Sequence, residues 1–161
     1  KGIPVYTVAE HLKPERLFKK FLEHRNRMGM TVLDLDGGVM PQLRNFLNQG
    51  RLVALVADRD LSKSGIEVDF FGSKAKMPPG PALLALDTKA SLITVYVSFR
   101  ESGIHMTFSG PIPVNRSAPD KSIEVERITQ SLARAFERDI SEDPTSWHMQ
   151  QRVFIDPKVN A

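Results

Sequence analysis

The 161-residue sequence contains no cysteine, one tryptophan and two tyrosines. Without cysteine there is no disulfide framework, no thiolate metal site and no cysteine nucleophile. A zero count suits a reducing compartment. A chain of this length removes roughly two-thirds of its unfolded surface on folding, so an unstapled core suffices. Long hydrophobic runs are also missing. The longest apolar stretches, residues 52–57 and 92–97, fall far short of the ~18 residues that cross a bilayer. No signal-peptide pattern, internal repeat, low-complexity segment or linker is present. With 41% hydrophobic and 25% charged residues, the composition excludes a disordered, collagenous or predominantly coiled-coil chain. Neither sign of charge dominates: 22 Lys and Arg stand against 19 Asp and Glu, a formal charge of +3 with a pI near 9.3. This mild excess allows an anionic partner, such as a phosphate, a coenzyme or an acidic lipid surface, without requiring one. The sequence starts without methionine, almost directly in a strand-like segment, so an excised portion of a longer protein is expected.

What is present reads as one α/β domain over residues 1–161. Residues 3–8 form a strand, with Pro4 tolerable at its start. A helix runs from Pro14 to Gly29, with Leu17, Phe18, Phe21 and Leu22 on one stripe. Residues 30–35 are a strand, and 41–48 a helix that buries Leu43, Phe46 and Leu47 and is capped near Gly50. The unbroken apolar run 52–57 suits a central parallel strand covered on both faces. After a polar loop at 58–65, residues 66–71 alternate as a strand. Pro78, Pro79 and Pro81 interrupt the chain before a short helix at 82–89. Residues 91–100 and 104–109 pair as a hairpin across Glu101, Ser102 and Gly103. A long helix, with Ile123, Ile128, Leu132, Ala135, Phe136 and Ile140 as its stripe, stops before Pro144. Strands alternating with helices imply a mostly parallel central sheet flanked by helices.

Several motifs compete for the chemistry. The strand exit TVLDLDGG, with Asp34 and Asp36, resembles the nucleophile motif of haloacid-dehalogenase-type phosphatases, which use two carboxylates and magnesium. The usual Thr after the Gly is missing, and no later Lys and acidic pair is evident. The run LVALVADRD ends in a D-x-D that suits a divalent cation and a nucleotide-sugar diphosphate; a glycosyltransferase is therefore an alternative. Arg59 between the two carboxylates could instead clamp a phosphate. His11, His24, His105 and His148 show no metal-ligand spacing, and neither a GxSxG elbow nor a Walker loop occurs. Cations concentrate at Lys13, Arg16, Lys19, Lys20, Arg25 and Arg27, then at Arg59, Lys63, Lys74 and Lys76. Nucleic-acid binding would want interleaved stacking aromatics, but Phe18 and Phe21 fall on the apolar stripe. No nucleic-acid partner is expected.

Residues 52–86 carry a longer pattern. It comprises an apolar strand, Asp58-x-Asp60, Gly65, Val68-x-Phe70-Phe71-Gly72, and Pro78-x-Gly80-Pro81-Ala82 before a helix. This block resembles the middle of the bacterial lipid A biosynthesis acyltransferase family, within the lysophospholipid acyltransferase superfamily. The opening VAEHLKPERLFKKFLEHRNRMGM, with Arg25, Arg27 and Gly29, and the closing DPTSWHMQQRVF, with Pro144 and Trp147, extend the likeness over nearly the whole chain. The wording VAEHLKPE and ADRDL is most similar to the actinobacterial phosphatidylinositol mannoside acyltransferases.

The resemblance implies the C-terminal portion of a glycerolphosphate acyltransferase-like fold. It also implies transfer of a fatty acyl group from acyl-CoA to a sugar hydroxyl of a glycolipid, at the cytoplasmic face of the plasma membrane. The partners implied are acyl-CoA as donor substrate, a phosphatidylinositol mannoside-like acceptor and an anionic membrane surface touched peripherally; no cofactor or metal is implied. The family signature is H-x4-D/E, a His base oriented by a carboxylate. Here the residues five places after the four histidines are Arg16, Gly29, Gly110 and Val153. The dyad is therefore expected upstream, in a missing N-terminal segment, and no catalytic residue is assigned to this chain. Loss of that segment is expected to expose apolar sheet surface and to cause low solubility or self-association. Arg25, then Arg27, are the expected helix-borne cations for a phosphate or for anchoring the site. Glu10, Asp58, Arg59, Asp60 and Glu67 are candidates for sugar hydroxyls or for fixing basic side chains. Apolar residues in 68–86 would line an acyl channel or simply pack the core. A non-catalytic binding fragment is the remaining alternative.

Overall fold

The computed structural model describes residues 3–9, 13–35, 38–60 and 64–155. They form two compact units, Lys1–Val56 with Asp87–Ala90, and Ala57–Leu86 with Ser91–Ala161.

In the first unit, strand β1 (Val5–Ala9) leads to helix α1 (Glu15–Arg27), strand β2 (Met30–Asp34), helix α2 (Val39–Asn48) and strand β3 (Leu52–Ala54). The three strands are parallel in the order β2-β1-β3. Parallel neighbours need crossovers, and the two amphipathic helices supply them. Phe18 on α1 is buried, as are Val39 and Leu43, which share one face of α2 at i, i+4 spacing. Tyr6 of β1 stacks on Phe46 of α2 with ring centroids 3.9 Å apart. The chain leaves β1 on one side for β2 and returns to its other side for β3. The strand order thus reverses at β1, which places the unit's natural crevice at the carboxyl ends of the strands.

The second unit begins with an antiparallel hairpin, β4 (Ile66–Phe70) and β5 (Ser73–Met77). Phe71 and Gly72 form its two-residue turn, both at positive φ (49° and 76°). Such a turn matches the twist of the strands, and glycine takes that conformation without a Cβ penalty. Helix α3 (Gly80–Asp87) follows, then a second antiparallel hairpin, β6 (Val95–Arg100) and β7 (Gly103–Phe108). Helix α4 (Lys121–Glu142) starts on Asp120, whose carboxylate accepts from the Ser122 and Ile123 N–H groups. A short 3-10 turn, Pro144–Ser146, succeeds it. One buried cluster joins Val68, Phe70, Ala75 and Met77 of the first hairpin to Ala133 and Ile140 of α4. Another joins Ala82 and Ile112 to Val125, Ile128, Leu132 and Ala135. The terminal segment closes over β5, where Ala75 bridges to Phe154 and the Ile155 N–H donates to the Lys74 carbonyl at 2.9 Å.

The expected mostly parallel central sheet is replaced, among the described residues, by three parallel strands and two separate antiparallel hairpins. A two-residue connection can only join antiparallel strands. The run 52–57 is not the central strand. β1 is, while β3 flanks it with Leu52 47% and Val56 86% exposed. Apolar content signals burial that the described residues do not supply. Two stripe positions are likewise outside the core, Leu17 at 53% and Ile123 at 64% exposure. Both lie in the first turn of their helices.

Candidate functional site

At the carboxyl end of the parallel sheet lies a hollow of roughly 240 Å3, lined by Thr7, Val8, Ala9, Phe21, Arg25, Val32 and Val56. Strands, strand ends and one side of α1 supply these residues, and Arg25 is the only charged one. Its guanidinium lies 5.0 Å from the centre of the Phe21 ring, and its Nη1 points at the Met30 sulfur at 3.5 Å. Both contacts hold the cation over apolar surface without neutralising it. No ion pair to Arg25 forms among the described residues, and the side chain is half-buried. An apolar hollow with one fixed cation suits an amphipathic anion, a phosphate attached to a larger apolar or sugar-bearing body.

Arg27 does not join it. Two residues along a helix turn the side chain about 200° away, and Arg27 is exposed, its Nε donating to the Glu23 carbonyl at 3.3 Å. Glu10 and Asp36, singled out in the sequence, lie outside the described residues.

The D-x-D segment is built quite differently, in the second unit. Asp58 turns inward, and its Oδ2 accepts the indole N–H of Trp147 at 2.8 Å. Its Oδ1 is buried with no hydrogen-bond partner among the described residues. One oxygen is thus engaged by the indole and the other is enclosed. Arg59 donates through Nη1 to the Gln151 side-chain oxygen. The Asp60 N–H donates to the Lys76 carbonyl at 2.8 Å, and Gly65 lies so close that a Cβ there would meet the Asp60 Cβ at 3.0 Å and the Lys76 Cβ at 3.1 Å. Glu67, expected at a sugar hydroxyl, is exposed on β4, 3.8 Å from Lys74. Lys74 also pairs with Asp69 at 2.7 Å. That contact lowers the Asp69 pKa and raises that of Lys74. Asp58, Arg59 and Asp60 thus form a strap held to the terminal segment and to β5, and Glu67 belongs to a surface ion-pair ladder.

Sequence reasoning does not reach Trp147 and Gln151 as partners of that strap. Its one hint is that the chain's single tryptophan opens a tail, residues 147–155, that carries further apolar anchors. The Asp143 carboxylate accepts from Thr145 and Ser146 hydroxyls, both at 2.7 Å, and these bonds lower its pKa. The Asp143 carbonyl takes the Tyr96 hydroxyl at 2.7 Å. Tyr96 is raised in pKa by burial first and by the charges of Asp143 and Asp139 next. Among the described residues no three His, Asp or Glu side chains converge as metal ligands, and no helix is long and apolar enough to cross a membrane.

Residues 2–155 match the family model described as bacterial lipid A biosynthesis acyltransferase. The chain belongs to that family. It is 42% identical over 155 residues to a phosphatidylinositol mannoside acyltransferase of Mycolicibacterium smegmatis, an alignment covering 94% of this chain and 49% of the relative. A phosphatidylinositol mannoside acyltransferase of Mycobacterium tuberculosis is 41% identical over 152 residues, covering 92% of this chain and 46% of the relative. The chain spans about half the length of the curated relatives it matches.

Proposed function

We propose that this chain is the acceptor-recognising part of an acyltransferase that moves a fatty acyl group from acyl-CoA to a sugar hydroxyl of a phosphatidylinositol mannoside-like glycolipid. The observation that carries the reading is Arg25, a cation without a carboxylate partner among the described residues, in an apolar hollow at the carboxyl end of a parallel sheet. A glycolipid of this class offers the matching pieces, namely one phosphate, several hydroxyls and an apolar body. Relatives that share about two-fifths of its residues and bear that activity in their names support the same substrate class.

In the reaction the acceptor hydroxyl oxygen attacks the thioester carbonyl, its proton passes to a base, and the coenzyme A thiolate leaves. No histidine in this sequence is followed five residues later by Asp or Glu. We therefore place the base and its orienting carboxylate outside these 161 residues, where the remainder would also extend the parallel sheet toward a glycerolphosphate acyltransferase-like whole. Arg25 holds the acceptor by its phosphate, and binding energy gained there positions the hydroxyl. Work at the cytoplasmic face of the plasma membrane follows from the substrates, with the cations of α1, among them Lys19, Lys20 and Arg27, available to anionic headgroups. The D-x-D glycosyltransferase reading has less support, because one oxygen of Asp58 is taken by the Trp147 indole and the other is buried.

The test is kinetic, on the full gene product. Arg25→Ala should raise the KM for the mannoside about tenfold or more, the cost of one charge-assisted phosphate contact. The KM for acyl-CoA should stay within about twofold. Arg25→Lys should recover only part of the loss, because a lysine cannot present the paired donors. An unchanged mannoside KM in the alanine variant would contradict the role given to Arg25.

A further inference from the structure

One face of the β6–β7 hairpin is apolar from end to end. The register pairs Val95 with Phe108, Val97 with Met106 and Phe99 with Ile104. All six are exposed, from 37% at Val97 to 68% at Ile104. The opposite face carries Tyr96 and Ser98, and it is the side that meets the core, Ser98 being 3% exposed. The alternation is thus inverted for a hairpin with one wet side, which normally turns its polar residues to water. β6 is anchored along its backbone, where the Phe99 N–H donates to the Ser146 hydroxyl at 3.0 Å. β7 pairs with no strand other than β6 among the described residues. The Phe99 ring stacks on His148 with centroids 5.7 Å apart, and a two-stranded ribbon whose apolar face is otherwise so exposed is marginal in water and needs a covering layer.

The dimensions indicate what covers it. Six residues of strand are about 20 Å long and two strands with their side chains about 10 Å wide, the footprint of one helix. The six side chains offer on the order of 500 Å2, taking ~150–200 Å2 for a large side chain and about half of it exposed. That is as large as the largest apolar patch on a typical monomer, which is often functional, and it is below the ~800 Å2 per partner of a stable separate complex. A segment of the same polypeptide needs no such area, because its effective concentration is high. None of the six is charged, and the turn sets Arg100 beside Glu101, so nothing here attracts an anionic lipid surface. The relatives carry about as much sequence again outside the matched part.

We propose that the outward face of the β6–β7 hairpin is the seat of an apolar helix from the part of the same polypeptide that lies outside these 161 residues. This rests on membership of the family and not on the reaction, so labelling can overturn it while acyl transfer stands. The test introduces Met106→Cys into the full gene product and follows alkylation by a water-soluble maleimide with peptide mapping. These residues contain no native thiol. A Glu126→Cys variant of the same full gene product, on the exposed side of α4, reports the rate of an uncovered thiol, and thermal melts confirm that each variant folds. The thiol introduced in place of Met106 should react at least tenfold more slowly than the one in place of Glu126, in lipid-free solution and independently of protein concentration. If Val97→Cys folds better than Met106→Cys, it serves equally. Equal rates at the two positions would overturn the proposal. So would protection that appears only with anionic vesicles, which would assign the face to a membrane. Protection that grows with protein concentration would assign it to a second copy and overturn it likewise.

Discussion

Trp147 and Asp58 are 89 residues apart in sequence and 2.8 Å apart in the fold. That one bond satisfies half of a carboxylate whose other oxygen is buried without a partner among the described residues. Trp147→Phe keeps an aromatic ring against Phe70, which Trp147 meets edge-on at 5.9 Å, but it deletes the donor. The expected loss is about 1–3 kcal/mol, the cost of stranding a buried acceptor. Urea denaturation measures it, and Asp58→Ala in the phenylalanine background should cost less than the two changes separately, since the orphaned carboxylate is then gone. Additive losses would show that the bond contributes nothing. At this scale the sequence is informative about identity and poor about partners. Asp58, Arg59 and Asp60 stand out by type and spacing, and Arg25 by its place on a helix. Nothing in sequence tells a carboxylate turned toward an indole from one offered to a ligand, because that depends on a tail far along the chain.

Helix α4 is tied to the loop before it by a charged contact that makes folding sensitive to acid. Glu124 is buried, accepts from Arg127 at 2.7 and 2.8 Å, and takes the Asn115 N–H at 2.8 Å. These bonds, the guanidinium first, lower its pKa from 4.5 to about 2, against the opposing effect of burial. A carboxyl held below its unfolded value stabilises the fold above that value and ceases to do so as protons titrate it. The contribution of Glu124 is therefore complete above about pH 4.5 and is lost as pH falls toward about 2. Thermal melts should show the wild type losing stability across that window, and Glu124→Gln starting lower at neutral pH and falling less steeply. Parallel curves would contradict the assignment. Elements are the most legible level. The four helices and the β6–β7 hairpin lie close to where periodicity places them. Strand β5 escapes the pattern, although Lys74 and Lys76 alternate with Ser73, Ala75 and Met77. Its polar members and the prolines that follow suggest a break, whereas Gln130 of α4 supplies reciprocal bonds to the Asp69 backbone on the neighbouring β4.

At the scale of the molecule, composition and periodicity indicate an α/β chain with strands alternating with helices, but they cannot give the pairing. Apolar content marks 52–57 as a strand to be buried and 91–100 as one arm of a hairpin. Val56, Phe99 and several of their neighbours nonetheless remain exposed. Period and apolarity report what a residue requires, and they are silent on which other segment meets the requirement. The described residues combine a three-stranded parallel sheet with its cationic hollow and a hairpin with an exposed apolar face, and the sequence holds no histidine dyad of the H-x4-D/E form. The most direct measurement is the mass of a phosphatidylinositol mannoside after incubation with an acyl-CoA and the purified full gene product. The account predicts a gain of one acyl group, located on a mannose hydroxyl by fragmentation, together with release of one free coenzyme A thiol per transfer. An unmodified mannoside, or thiol release with no acylated glycolipid, would contradict it.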